Sequence, residues 1–363
     1  MKVLIVDDSV VFRSQIAAAL TGTPQIEVVG SAPNGSIALQ KLDQLSVDLV
    51  TLDMEMPDMD GIAVLKAIRE RKHKVRVIIF SAQTIRGAEK ALQALKAGAD
   101  DVISKPSSSE EATDYKSPQE RIREILVPKI HQFLEKREKT SLTPERREEK
   151  LELFPKTPPL GAFEKLPLTG FQPSAVVIAS STGGPTALET IFTQIPQSLE
   201  IPIIIAQHMP PVFTQILAKR LGDLSKKPCN EAKHGDILKP GHIYVAPGDY
   251  HLQVAHSSGE VVLELNQGPQ RNSVRPAADY LFESAAAVFR NRLLGIVLTG
   301  MGQDGLQGSI AIKQAGGRIL IQDEPSCVVF GMPGAVFKAN CYDGMGDLQM
   351  ISGVLQKLSE NLH

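Results

Sequence analysis

Acidic residues, a serine and a lysine follow successive apolar segments in the N-terminal third of the chain. These residues are Asp7, Asp8, Asp53, Ser81 and Lys105. Three carboxylates close together repel one another and favour a hard cation such as Mg²⁺, which prefers oxygen ligands. A carboxylate can also accept a phosphoryl group as an acyl phosphate, whose oxygens a nearby hydroxyl and ammonium can bind. A single aspartate at such a position is more often a helix cap or a solvated charge, but the whole set favours phosphoryl chemistry.

A serine, a histidine and an aspartate follow apolar segments in the same way in the C-terminal half. Ser181 lies in the turn Ser-Ser-Thr-Gly-Gly, His208 follows the next apolar segment, and Asp304 lies in a later glycine-rich loop. A histidine that takes the serine proton makes the hydroxyl a nucleophile, and a carboxylate that accepts the second ring N–H fixes the tautomer. Taken alone, Ser181 could cap a helix, and so could Asp304. Together the three residue types predict a hydrolase with a serine nucleophile.

The elements that must position the first set alternate between strand and helix. Apolar segments of strand length occupy residues 3–6, 28–31, 49–52, 77–80 and 101–104, and helix-period segments occupy residues 12–20, 36–45, 62–71, 87–97 and 118–136. Short apolar strands joined by helices predict a parallel sheet with helices on both faces. The polar residues at the carboxyl ends of such strands meet at one edge, which is where these sheets bind ligands.

The C-terminal half again mixes strands with helices. Residues 174–179, 201–206 and 293–298 predict buried parallel strands. Residues 243–246, 250–255 and 261–265 are short, and Ser258-Gly259 lies between two of these segments. We therefore expect antiparallel hairpins there. The predicted fold class is α/β, with two doubly wound parallel-sheet domains.

The stretch between the two halves is rich in charge and proline. Eleven of the sixteen residues 135–150 are charged, and prolines cluster after them. Charge repulsion and proline both disfavour regular structure. We expect an N-terminal domain at residues 1–137, a linker at 138–172 that acts as a solvated tether, and a C-terminal domain at 173–363.

Composition and charge exclude several classes of protein. The chain is 42% hydrophobic and 22% charged, which is typical of a folded globular protein. A net charge of −2 gives no long-range positive field for nucleic acid.

No apolar run approaches the about 18 residues that span a bilayer. Asp7 and Asp8 interrupt the apolar start of the chain, so we expect a cytoplasmic protein. The three cysteines form no C-x-x-C pair, which favours buried thiols over a disulfide framework or a zinc site.

Residues 1–137 resemble the receiver domain of two-component response regulators. The resemblance rests on Asp7-Asp8, on Leu52-Asp53-Met54-Glu55-Met56-Pro57 followed by Asp60-Gly61, and on Lys105-Pro106. It implies a flavodoxin-like fold in which Asp53 is the phosphoacceptor. It also implies Mg²⁺ bound by Asp7, Asp8, Asp53 and the backbone carbonyl of Glu55. Ser81 and Lys105 would then contact the phosphoryl group.

The chain from Val176 to the C-terminus resembles the catalytic domain of chemotaxis protein-glutamate methylesterases. The resemblance rests on Ser181-Thr182-Gly183-Gly184, on Gln207-His208-Met209, and on Gly300-Met301-Gly302 followed by Asp304-Gly305. It implies Ser181 as nucleophile, His208 as base and Asp304 as the orienting acid, with no cofactor in this domain. Thr182 and the backbone N–H of Met301 are candidates for transition-state contacts.

The fusion of the two domains implies a phosphorylation-activated enzyme. It would hydrolyse glutamate methyl esters on the cytoplasmic helices of chemoreceptors and deamidate receptor glutamines. The unphosphorylated receiver would inhibit the catalytic domain, and a sensor histidine kinase would supply the phosphoryl group.

Two alternatives stay open. The chain could be a response regulator whose C-terminal domain only docks partners, although the complete set of Ser181, His208 and Asp304 argues against this. It could also be a transcription factor, but the charge balance and the lack of a terminal helix-turn-helix pattern argue against nucleic-acid binding.

Overall fold

A computed structural model of the chain describes residues 1–105, 116–141 and 170–360, with side chains of the helix before residue 142 described up to residue 134. The chain divides after Leu142 into two compact units, which we call the N-terminal unit and the C-terminal unit. Pro106 and most of the predicted linker lie outside the described residues. None of the described helices combines the length and the hydrophobicity that a membrane-spanning segment needs.

The N-terminal unit is a five-stranded parallel sheet with the strand order β2-β1-β3-β4-β5. Its elements are β1 (Lys2–Val6), α1 (Val10–Leu20), β2 (Glu27–Ala32), α2 (Gly35–Gln44), β3 (Leu49–Asp53), α3 (Gly61–Glu70), β4 (Arg76–Ser81), α4 (Ile85–Lys96), β5 (Asp101–Ser104) and α5 (Pro118–Ser141). This is the flavodoxin-like doubly wound order, in which the ligand crevice lies where β1 and β3 diverge. The predicted fold of this unit is confirmed.

Side-chain caps fix where the first four helices of this unit begin. Each cap accepts a hydrogen bond from the backbone N–H three residues further on, and the four capping residues are Ser9, Asn34, Asp60 and Thr84. Such a cap contributes about 1 kcal/mol. The caps set the short turns between strand ends and helices, and those turns line the edge of the sheet that carries the polar residues.

The C-terminal unit contains a seven-stranded parallel sheet with the order β14-β13-β12-β6-β7-β9-β8. Its elements are β6 (Ala175–Ser180), α6 (Gly184–Phe192), β7 (Ile203–Gln207), α7 (Phe213–Ser225), β8 (Cys229–Glu231), β9 (Ile243–Val245), β10 (His251–Ser257), β11 (Glu260–Asn266), α8 (Ala278–Phe289), a 3₁₀ turn (Arg290–Arg292), β12 (Leu293–Val297), α9 (Leu306–Gln314), β13 (Arg318–Gln322), α10 (Met332–Lys338), β14 (Gly344–Gly346) and α11 (Leu348–Glu360).

One prediction for this unit is wrong. Residues 243–246 were expected in an antiparallel hairpin, but β9 pairs in parallel with β7 and β8. All three residues of β9 are buried, as in other strands covered on both faces, and so short an apolar run does not reveal its direction. The antiparallel prediction is confirmed only for β10 and β11. Ser258 and Gly259, which join these two strands, both have positive φ, as a two-residue hairpin turn requires.

Strand β6 is the point where the chain changes direction across the sheet. It pairs with β7 on one side and β12 on the other, and every residue of these three strands is buried. Helix α8 packs against them through a core that includes Leu281 and Phe282. The chain leaves β6 toward β7 and later returns to β12 on the opposite side. Open α/β sheets bind ligands beyond the strand ends at such a switch point.

Candidate functional site

The carboxyl ends of β1, β3 and β5 bring two aspartates of the N-terminal unit to one lysine. Lys105 Nζ lies 2.8 Å from Asp7 Oδ2 and 2.8 Å from Asp53 Oδ2. Both aspartates are buried, so removing the lysine would leave two uncompensated charges. The ammonium also lies 4.8 Å from the centroid of the Phe12 ring, which favours the cation further.

The charges of this pocket shift the pKa values of its members. Burial raises the pKa of Asp53, with a further rise from the charge of Asp7 and an opposing effect of Lys105. Burial alone would lower the pKa of Lys105, but the hydrogen bonds to Asp53 and Asp7 outweigh it and the pKa is raised. The pocket therefore holds more negative charge than its one ammonium neutralises.

The donor set of this pocket fits a magnesium ion. One carboxylate oxygen each of Asp7, Asp8 and Asp53 lies within 4.8 Å of the others. Three hard oxygen atoms at this spacing match what Mg²⁺ binds. The backbone N–H of Glu55 donates to Asp53 Oδ1 at 3.3 Å, and the Glu55 carboxylate pairs with Lys90 at 3.4 Å. The predicted role of the Glu55 carbonyl stays a prediction.

Ser81 lies at the same edge but is turned toward helix α4. It is buried at the end of β4, and its hydroxyl donates to the carbonyl of Gly87 at 2.9 Å. A contact with a phosphoryl group would require this hydrogen bond to break, so that role of Ser81 also stays a prediction.

Backbone hydrogen bonds hold Ser181 at the end of β6 in the C-terminal unit. Its N–H donates to the carbonyl of Thr299 at 3.0 Å, and its carbonyl accepts from Gly184 N–H at 2.7 Å. Gln207 Nε2 donates to the same carbonyl at 3.0 Å. The serine is therefore fixed between the ends of β7 and β12.

The turn after Ser181 requires glycine at two positions. Gly183 has φ +78°, and an added Cβ would lie 2.6 Å from Val328 Cγ2. At Gly184 an added Cβ would lie 2.1 Å from the side-chain oxygen of Gln207. Helix α6 can therefore begin at Gly184, three residues after the serine.

His208 and Asp304 are joined by a short hydrogen bond. His208 Nε2 lies 2.7 Å from Asp304 Oδ2, and both side chains are largely buried. Burial would raise the pKa of Asp304, but hydrogen bonds from His208 and from backbone N–H groups outweigh it and lower the pKa. The carboxylate is thus ionised and accepts, so Nε2 must carry the proton. In the neutral ring, Nδ1 is then free of a proton and can act as a base.

Three further donors fix the orientation of the Asp304 carboxylate. The backbone N–H of Ala278 donates to Oδ2 at 2.5 Å, and that of Asp279 donates to Oδ1 at 3.1 Å. Asn272 Nδ2 donates to Oδ1 at 3.0 Å. Because Ala278 and Asp279 begin helix α8, the carboxylate also lies at the positive end of a helix dipole.

Ser181 and His208 follow directly paired residues of neighbouring strands. Ser180 and Gln207 are partners in the parallel ladder, and His208 N–H donates to the carbonyl of Ser180 at 3.1 Å. Among the described residues, Ser181 Oγ makes no hydrogen bond to His208. Such contacts are often long in unliganded enzymes. The structure therefore brings His208 and Asp304 into contact and places Ser181 at the adjoining strand end.

The two residues predicted for transition-state contacts border the serine. Thr182 is buried, and its carbonyl accepts from Thr299 Oγ1 at 2.9 Å. Met301 follows Gly300, where an added Cβ would lie 2.9 Å from Ser181 Cβ. Thr182 thus adjoins Ser181 in the chain, and Met301 follows a glycine that packs against it, while the roles of both residues stay predictions.

Gln207 is a member of this site that the sequence analysis did not assign. The side chain is buried, accepts from Ser180 Oγ at 2.6 Å, and donates to the carbonyls of Ser181 and His208 at 3.0 and 3.2 Å. The available signal was a polar amide at the end of an otherwise apolar strand. Its amide therefore forms hydrogen bonds to both turns, the one that carries the serine and the one that carries the histidine.

The two folds and their sites define the class of a receiver-linked α/β hydrolase. Residues 176–355 match the family model for CheB methylesterase, and residues 3–115 match the model for the response regulator receiver domain. A protein-glutamate methylesterase/protein-glutamine glutaminase of Trichodesmium erythraeum is 44% identical over 94% of each chain. One of Pyrococcus horikoshii is 40% identical over 99% of this chain and 94% of its own.

A solved structure extends the similarity to the fold. The crystal structure of the Thermotoga maritima CheB methylesterase catalytic domain is 39% identical and covers 52% of this chain and 99% of its own, with a TM-score of 0.50. The chain belongs to the family of protein-glutamate methylesterases/protein-glutamine glutaminases and carries a response regulator receiver domain.

Proposed function

We propose that the chain hydrolyses glutamate methyl esters and deamidates glutamines on the cytoplasmic helices of chemoreceptors through Ser181, His208 and Asp304. The observation that carries this proposal is the 2.7 Å hydrogen bond from His208 Nε2 to Asp304 Oδ2. It leaves Nδ1 of the base unprotonated at the strand end next to the one that carries Ser181. The names of the relatives supply the reaction on protein glutamate esters and glutamines, and the resemblance of the sequence to chemotaxis methylesterases supplies the chemoreceptor.

The chemistry proceeds in two half-reactions. His208 Nδ1 takes the proton of Ser181 Oγ while that oxygen attacks the ester carbonyl carbon. The tetrahedral intermediate then breaks its bond to the methoxy oxygen, which takes the proton from His208 and leaves as methanol. Water attacks the acyl-serine with His208 again as base, and the C–Oγ bond breaks to give glutamate and free serine. With a glutamine substrate, ammonia replaces methanol.

The backbone around the serine would stabilise the oxyanion. The N–H groups of Thr182, which follows Ser181, and of Met301, which follows Gly300, would supply the donors, since preorganised donors of this kind stabilise developing negative charge. Asp304 stabilises the imidazolium that forms in each half-reaction, and its buried setting strengthens that interaction.

The N-terminal unit would regulate this activity through phosphorylation of Asp53. Asp7, Asp8 and Asp53, with the Glu55 carbonyl, would hold Mg²⁺, which neutralises an incoming phosphoryl group. Lys105 already contacts Asp53 and would bind a phosphoryl oxygen, and Ser81 would exchange its hydrogen bond to Gly87 for another. A sensor histidine kinase would donate the phosphoryl group.

Regulation by the receiver follows from this scheme. The unphosphorylated N-terminal unit would inhibit the C-terminal unit, and phosphorylation would need to favour the active state by only a few kcal/mol. The proposal places the enzyme in the cytoplasm, where kinase and receptor helices are accessible.

Methanol release from a methylated receptor fragment tests the catalytic assignment. Ser181→Ala should abolish release, whereas Ser180→Ala removes the neighbouring hydroxyl and should retain readily measurable activity. A fluorophosphonate probe should label the parent and the Ser180 variant but not the Ser181 variant. Undiminished methanol release by Ser181→Ala would refute the nucleophile assignment, and a parent protein without release or labelling would favour a docking module.

Labelling with a small phosphodonor tests the receiver assignment. Asp53→Asn should abolish labelling, whereas Asp60→Asn should keep it because asparagine preserves the cap of helix α3. Deletion of residues 1–142 should give a fragment more active than the unphosphorylated full chain. A fragment with no more activity than the full chain would contradict inhibition by the receiver.

A further inference from the structure

Asn272 connects two buried carboxylates of the C-terminal unit. It lies in the loop between β11 and α8 with φ +55° and is itself exposed. Its Nδ2 atom lies 3.0 Å from Asp304 Oδ1 and 3.0 Å from Asp279 Oδ2. An amide nitrogen carries two hydrogens, so one atom can serve both carboxylates.

The two carboxylates cap each other's helices. Asp304, which precedes α9, accepts from the N–H groups of Ala278 and Asp279 at the start of α8. Asp279, in the first turn of α8, accepts from the N–H of Gly308 in the first turn of α9 at 2.8 Å. This reciprocal arrangement brings two like charges together in a buried place, where they repel unless donors lie between them.

The donors are divided unequally between the two carboxylates. Asp279 also has Arg271, whose Nε lies 3.4 Å from Oδ2, although that guanidinium mainly forms a bidentate pair with Glu283. Oδ2 of Asp304 faces His208. In the described part of the chain, Asn272 is the only side chain that donates to Oδ1 of Asp304. Without it, one backbone N–H would hold that oxygen, and the carboxylate could turn away from the imidazole.

We propose that Asn272 is a positioning residue for catalysis. Its amide fixes the plane of the Asp304 carboxylate, and in that plane the carboxylate orients His208. This role rests on the proposed function, because it acts through Asp304. The reacting atoms are not contacted by Asn272 itself. The amide of Asn272 orients the Asp304 carboxylate, and that carboxylate in turn orients His208.

The loop offers variants that separate the side chain from the backbone. Asn272→Gly removes the amide while keeping the left-handed conformation, which glycine adopts readily. Asn272→Asp keeps the shape but replaces the donor with a third carboxylate. The matched control is Ser273→Gly, because Ser273 is exposed, has φ +62° and makes no side-chain hydrogen bond among the described residues.

The expected results are measured on the full chain with a methylated receptor fragment. Asn272→Gly should lower kcat about tenfold, and Asn272→Asp should lower it on the order of a hundredfold. KM should stay within about twofold, as for an interaction that matters in the transition state. Ser273→Gly should match the parent.

Proton NMR gives a readout that a merely structural role would not move. The downfield resonance of the His208 Nε2 proton should shift or broaden in both Asn272 variants and stay in place in Ser273→Gly. A folded Asn272→Gly protein with the parent's kcat and resonance would overturn the positioning role, and so would Asn272→Asp with both unchanged.

Asp304→Asn in the same assay distinguishes failure of the proposed triad from failure of the positioning role of Asn272. If it keeps full activity, the proposed triad fails, and if it is inactive while the Asn272 variants are unaffected, only the role of Asn272 fails.

Discussion

The carboxylate of Asp304 is oriented by four donors, and His208 is only one of them. The others are the N–H groups that begin helix α8 and the amide of Asn272. Burial would raise the pKa of the acid, but the hydrogen bonds from His208 and from the two N–H groups outweigh it and lower the pKa. The group therefore stays ionised and holds the proton of His208 on Nε2. The surroundings of the aspartate thus determine which ring nitrogen of His208 would serve as base in the proposed reaction.

Asp304→Asn should therefore inactivate the enzyme without unfolding it. The new amide can donate to Nε2, which moves the ring proton to Nδ1 and removes the base. We expect methanol release to fall by about 10⁴-fold. Asp343→Asn is the control, since Asp343 is another ion-paired aspartate of the same unit, partly buried, that contacts Lys313 and Arg318. It should lose stability but keep kcat, and a loss below about tenfold in Asp304→Asn would contradict the tautomer argument.

His251 should make the C-terminal unit sensitive to mild acid. Its Nε2 donates to the carbonyl of Pro269 and its Nδ1 accepts from Ala277 N–H, which requires the neutral ring. Burial lowers its pKa. The unfolded chain therefore takes up a proton near its ordinary pKa of about 6.5, where the folded chain does not, so this stability is present above that pH and is lost as the pH falls.

Urea unfolding of the parent and of His251→Gln, followed at several pH values between 5 and 8, measures this effect. The parent should lose at most about 1.4 kcal/mol per pH unit from this group below its unfolded pKa. The variant should be less stable at neutral pH and should show a flatter dependence. Parallel pH curves for the two proteins would contradict the assignment of a buried neutral ring.

At the scale of elements, three neighbouring strands carry the residues of the proposed triad beyond their carboxyl ends. Strands β12, β6 and β7 lie side by side, and the residues of interest follow their carboxyl ends. The turn after β6 makes this possible, because helix α6 begins at Gly184, only three residues after Ser181.

Gly183→Ala should destabilise the C-terminal unit through this turn. The residue has φ +78°, and the added Cβ would lie 2.6 Å from Val328 Cγ2, so we expect a loss of about 2 kcal/mol or more. Gly353→Ala is the control, since that glycine lies in helix α11 with nothing within 4 Å of an added Cβ. It should stabilise the protein by about 0.5–1 kcal/mol. Equal denaturation midpoints for the two variants would contradict the packing of the turn.

The sequence predicted those features that depend on local pattern. The apolar runs ending in Asp7, Asp53, Ser181 and His208 showed where strands end, and parallel order brought their ends to one edge. The direction of β9 could not be predicted, because a three-residue apolar run is compatible with either direction. The donors to Asp304 from helix α8 also escaped prediction, since they lie 25 or more residues away and meet the acid only through tertiary packing.

At the scale of the whole molecule, the metal requirement should distinguish the two units. The acidic pocket of Asp7, Asp8 and Asp53 fits a divalent cation. The proposed chemistry of Ser181 and His208 needs only side chains and backbone groups.

Removal of Mg²⁺ by a chelator should therefore abolish phosphoryl labelling and the activation by a phosphodonor. Basal methanol release should stay within about twofold of the untreated protein, because only the regulatory gain is lost. Restoring Mg²⁺ should recover both labelling and activation. Basal release that vanishes with the chelator would contradict a metal-independent esterase reaction.

The exchange of caps between Asp279 and Asp304 has a consequence for local opening. The amide hydrogens of Ala278 and Asp279 are bound by Asp304, in the loop before α9, and that of Gly308 in α9 is bound by Asp279 of α8. We therefore expect them to reach solvent when α8 and α9 separate. In deuterium exchange these three amides should fall in the slowest class, near the rate set by global unfolding. Faster exchange there than in the β10–β11 hairpin would show that the helices part on their own. If the slow rate holds, the contacts of Asp304, the proposed triad acid, break only when the unit as a whole unfolds.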